Sequence, residues 1–83
     1  MPEIKVTFSD GSSVVFHEDQ AFGTWIKSKD SVSQSEIYTL WYHHSYGLSP
    51  SMFEILLNSE FFYDIENPET NYNSNSVVKV QTI

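Results

Sequence analysis

Three histidines, eleven carboxylates and many serines are the residues of this 83-residue chain whose types could do chemistry. His43 and His44 are adjacent, so on a helix their side chains diverge by about 100° and do not share one ion as an i, i+4 pair would. His17 is distant from both in sequence, and packed or surface imidazoles are the expectation for all three. Asp64-Ile65-Glu66-Asn67-Pro68-Glu69 offers the first and third ligands of a calcium loop. It then places Pro68 at the fifth position, Glu69 where glycine is needed and Asn75 where the bidentate acid belongs. No serine stands in a Gly-x-Ser-x-Gly elbow, and no acid is placed to orient a histidine toward one. Gly11, Gly23 and Gly47 are the only glycines, too few and too scattered for a phosphate-cradling loop. The absence of cysteine removes disulfides, thiolate metal sites and cysteine nucleophiles together. A chain with no catalytic centre, cofactor or metal ion is the prediction.

Charge narrows the partner. Asp and Glu number 11 against 4 Lys and no Arg, for a net charge of −7. Residues 1–29 hold Glu3, Asp10, Glu18 and Asp19 against three lysines, a balance of −1; residues 30–83 hold seven acids against Lys79, a balance of −6. Phosphate recognition requires several cations on one face, so direct nucleic-acid binding is not expected. No apolar run approaches the roughly 20 residues of a membrane span, and the start Met-Pro-Glu-Ile-Lys has no secretory pattern. A single domain over residues 1–83 in the cytoplasm is the expectation.

The elements that must position these residues start with a hairpin. Ile4, Val6 and Phe8 alternate with polar residues before Asp10-Gly11. A three-residue loop, Ser9-Asp10-Gly11, with Gly11 left-handed, aligns Ile4 with Phe16 and Val6 with Val14 and so gathers one apolar face. Asp19 can cap a helix near 20–28, where Phe22, Trp25 and Ile26 fall at i, i+3 and i+4, although Gly23 weakens it; Lys27, Lys29 and then Asp30-Ser31 would mark its exit. Ser33-Gln34-Ser35-Glu36 fits a capping box for a helix near 34–46, while Ile37 to Tyr42 is rich in β-formers and leaves a strand open for residues 36–43. A helix near 50–59 has Ser49 as N-cap, Pro50 in its first turn and Leu48 stapled onto Phe53, and it leaves mainly Glu54 and Asn58 to water. Strands follow near 61–65 and 77–82, separated by a polar surface loop from Glu66 to Ser76. The fold class expected is α+β: the N-terminal hairpin and the C-terminal strand pair form one antiparallel sheet under two to three helices, with Trp41, Phe53 and Leu56 in the core.

Residues 37–57 resemble a helix-turn-helix in the spacing of Gly47, Leu48 and Ser49 between two helices, though His43 stands where that motif has a small residue and the second helix lacks basic residues. The resemblance implies a winged-helix-like regulatory or assembly subunit acting through protein contacts. The reading preferred from the sequence is a non-catalytic acidic interaction or inhibitor module that occupies a basic surface of a partner protein. In size and charge it is similar to phage-encoded inhibitors, including DNA mimics and anti-CRISPR proteins. Its partner-binding residues would be Glu54, Glu60, Tyr63, Asp64, Glu66, Glu69 and Tyr72, the acids steering a cationic partner and the two tyrosines anchoring it.

Overall fold

The hairpin forms as its apolar alternation requires. In the computed structural model, which describes residues 2–28 and 31–83, β1 (Glu3–Phe8) pairs antiparallel with β2 (Ser13–His17), Ile4 opposite Phe16 and Val6 opposite Val14. Gly11 takes φ +91° in the connecting turn, a conformation that L side chains rarely adopt. The turn is tightened by Asp10, whose carboxylate accepts from the Ser12 hydroxyl at 2.6 Å and from the Ser12 amide at 2.9 Å. These two bonds, the hydroxyl first, hold the Asp10 carboxyl below its ordinary range.

Residues 20–46 depart from expectation. In place of a helix, residues 21–28 are the strand β3 (Ala21–Ser28), and in place of a second helix the chain lays β4 (Ser31–Gln34) and β5 (Tyr38–Thr39) along the same edge of β3. Phe22, Trp25 and Ile26 fit a helical face, but Phe22, Thr24 and Ile26 also alternate, and long-range pairing favours the period of two. The Ser33 and Glu36 of the supposed capping box are spent differently: Ser33 sits opposite Ile26, and the Glu36 carbonyl accepts from the buried Thr24 hydroxyl at 2.7 Å. Residues 43–47 form a tight loop in which the His43 and Gly47 peptides bond reciprocally at 2.7 and 2.9 Å. The expected exit of a first helix at Lys29 and Asp30 lies outside the described residues.

The helix after Pro50 does form, as α1 (Ser49–Asn58). Leu48, not Ser49, occupies its N-cap, without a side-chain bond. Ser49 turns its hydroxyl to Thr82 at 3.2 Å instead, and Ser51 ties the helix start to the peptide of Trp41. Beyond it run β6 (Phe61–Asp64), β7 (Tyr72–Asn73), a 3-10 turn over Ser74–Ser76 and β8 (Val77–Thr82). The expected loop from Glu66 to Ser76 therefore ends in a short strand and a turn.

The fold is mostly β, with one α-helix among the described residues, and the α+β class expected from the sequence is corrected accordingly. The strands form two antiparallel sheets rather than one: a three-stranded sheet in the order β2-β1-β8, and a five-stranded sheet in the order β4-β3-β6-β7 with β5 also on β3. Aromatic rings join their inner faces. Phe16 of the first sheet packs edge-on against Phe22 of the second at 4.8 Å and Phe62 at 6.3 Å, and Tyr72 stacks on Phe62 at 5.2 Å and on Phe8 at 5.5 Å. Leu48, Met52 and Ile55 of the helix region close the core over Ile4, Val6 and Leu40. Leu56 packs at its margin, whereas Trp41 and Phe53, expected inside, are exposed. With β5 and the 43–47 loop, and no helix, before α1 among the described residues, the helix-turn-helix arrangement expected over 37–57 does not form. No described helix is long and apolar enough to cross a membrane.

Candidate functional site

The seven residues expected to meet a partner fall into separate places. Tyr72 is half-buried in the aromatic core between Phe8 and Phe62. Asp64 ends β6 with both carboxylate oxygens engaged: one accepts from Gln20 Nε2 at 2.7 Å, the other from the Glu66 amide at 3.0 Å. Asp64 and Glu66 line one shallow cleft with Asp19 and His17, and Glu69 is exposed in the following turn. That end of the second sheet is anionic. Glu54 lies on α1 within electrostatic reach of Tyr38, whose phenol is pushed above its ordinary range by burial first and then by Glu36 and Glu54. Glu60 stands at the opposite end of β6 from Asp64, between α1 and the strand. The described residues include no group of three or more His, Asp or Glu able to hold a metal ion. His17 Nδ1 is bonded to the Glu18 carbonyl, and His43 Nδ1 accepts the Ser45 and Tyr46 amides.

Tyr63 belongs to a fixed aromatic platform. It points away from the core, opposite Gly23 in the β3–β6 register, and its ring lies so close over Gly23 that a Cβ there would overlap it. Gln34 Nε2 donates to the Tyr63 hydroxyl at 2.8 Å. The neighbouring Trp25 ring is 6.1 Å away, and its indole N–H donates to Asn71 Oδ1 at 3.1 Å. Both rings are thus held by bonds to side-chain amides. Gly23→Ala should force the tyrosine ring out of its seat and break the Gln34 bond, at a cost of about 1–3 kcal/mol. Urea denaturation measures the loss, and the same change in a Tyr63→Ala background should be nearly neutral if the ring is the cause.

Next to this platform the surface turns apolar. Trp25, Phe61, Val32 and Glu60 line one cleft of about 270 Å³. Ile26, Lys27 and Glu60 carry it into a second, whose far wall is Leu56, Leu57 and Asn75. Those last three pass into a third, between α1 and β8, with Phe53, Val78 and Lys79. Because each cleft shares residues with the next, they make one band across this end of the molecule, apolar at its two ends and polar in the middle, where Lys27, Asn58, Ser59, Glu60 and Asn75 join the lining. The exposed large side chains along it are Val32, Phe61, Leu57, Phe53 and Val78, with Leu57 82% and Phe53 47% accessible. Clustered exposed apolar side chains are the kind of surface that contact sites use, whereas single exposed leucines are ordinary.

The band's charges are Glu60 against Lys27 and Lys79, while the anionic cleft of Asp19, Asp64 and Glu66 lies at the other end of β3 and β6. The structure therefore separates an apolar face from an acidic one. Of the seven expected residues, Glu60 lines these clefts, while Phe53, Leu57, Val78 and Val32 line them without having been expected to. An apolar run through α1 that only Glu54 interrupts signals a helix that is covered on several sides, and only the packed fold shows that Phe53 and Leu57 stay exposed. Comparison with family models, curated proteins and solved structures finds no match to the chain.

Proposed function

We propose that the chain is a non-catalytic interaction module, of the inhibitor kind, that occupies the surface of a basic protein partner. The observation that carries this reading is the band of linked clefts, with Phe61 and Val32 exposed at one end and Phe53, Leu57 and Val78 at the other, on either side of a polar middle. Burying such a band against a partner supplies the affinity. The net charge of −7 sets the sign of the partner, since two copies of this chain repel one another while a basic protein is attracted. Glu66, Glu69 and Asp64, remote from the band, act on the approach rather than on the contact.

The test is kinetic. With a basic protein recovered on the immobilised chain, association and dissociation are measured at two salt concentrations. Changing Glu54, Glu60, Glu66 and Glu69 together to Gln, and leaving Asp64 with its two bonds, should lower the association rate about tenfold at low salt and flatten its salt dependence, with stability nearly unchanged. Equal rates and equal salt dependence would remove the basic partner from the reading.

A further inference from the structure

We propose that the cleft between Trp25 and Phe61 is a subsite for an arginine side chain of the basic partner; this rests on the reading of the chain as a module for such a protein. Trp25 and Phe61 stand directly opposite each other on β3 and β6 and wall the cleft together with Glu60. A guanidinium is planar and weakly hydrated, so it stacks on an aromatic face, most favourably tryptophan, while still bonding a carboxylate in its plane. Glu60 supplies that carboxylate, and Val32 and Ile26 in the same lining offer an apolar track for the arginine stem. The platform is set in advance: the Trp25 indole is held by Asn71, and the adjoining Tyr63 by Gln34. Binding therefore costs little ring ordering. The net charge of −7 favours the approach of a cation over a phosphate-bearing or carboxylate ligand, and within the cleft Glu60 is the group that pairs with it. Lys27 lines the same cleft and opposes a cation there, which gives the proposal a prediction of opposite sign.

Octa-arginine and octa-lysine peptides are titrated against the whole chain at low salt and followed by amide and indole NMR signals. Octa-arginine should move the Trp25 indole, Phe61 and Glu60 signals and bind at least about threefold more tightly than octa-lysine. Glu60→Gln should weaken octa-arginine about two- to fivefold, and Lys27→Gln should tighten it by a similar factor. Both positions are on the surface, so neither variant depends on refolding the core, and their unchanged spectra away from the cleft verify this. If both peptides bind alike with shifts confined to residues 64–69, the arginine subsite is wrong while the basic partner stands. Shifts at Trp25 without preference for arginine overturn the arginine assignment, and no binding of either peptide overturns both.

Discussion

Phe62→Ala should leave the domain unfolded or close to it. Phe62 is fully buried in the second sheet, and its ring touches Phe16, Phe22 and Tyr72, so its removal leaves a cavity in the middle of the aromatic cluster that joins the two sheets. Replacing a buried phenylalanine by alanine costs about 3–5 kcal/mol, against a total of about 5–15 kcal/mol for a typical domain. A small domain without disulfides has little in reserve. Urea denaturation followed by tryptophan fluorescence measures the loss, and Phe62→Leu should recover much of it by refilling the cavity. A cost below about 1 kcal/mol would mean that the sheets are held elsewhere.

Leu57→Asp should have the opposite profile, with folding preserved and binding lost. The side chain is 82% accessible, so a charge there disturbs no core contact, and melting should move by the equivalent of about 0.5 kcal/mol or less. At a contact surface it buries an unpaired carboxylate among Phe53, Leu56 and Val78, and a contact residue of this kind is worth about 2 kcal/mol or more, roughly a 30-fold loss of affinity. Phe53→Ala belongs to the same class, although its sequence context reads as core. Equilibrium binding beside thermal denaturation separates the two effects; a variant that melts early yet binds normally would put Leu57 in the fold rather than in the contact.

How far these outcomes were legible in the residues depends on whether the deciding contact is local. The register of β1 on β2 follows from matching Ile4 and Val6 to Phe16 and Val14 across three turn residues, and Pro50 marks the start of α1; both are settled within a few positions. β3 is settled far away. Its partners are β6 on one edge and β4 with β5 on the other, and its residues Phe22, Trp25 and Ile26 satisfy a helical and an extended pattern alike, so only the distant pairing chooses. The site has the same history. Tyr72 looks like a loop aromatic until β7 pairs with β6, Phe62 opposite Tyr72, and takes it into the core. Phe53 and Leu57 look buried until one sees that Met52 and Ile55 already fill the side of α1 that faces the sheets.

The place of β1 in its sheet bears on how the domain comes into being. β1 is the middle strand, held by β2 on one edge and by β8 on the other, with Ile4 opposite Thr82 and the Ile83 amide bonded to the Glu3 carbonyl. A ribosome delivers β1 and β2 early, and that hairpin can close in microseconds. Its second edge and the Ile4 and Val6 face stay unsatisfied until residues 77–82 have left the exit tunnel. The first sheet therefore closes only once residues 77–82 are available, and slowly, because its defining contacts join residues 3–8 to residues 77–82. During that interval the open edge of β1 is the part of the nascent chain most in need of a chaperone.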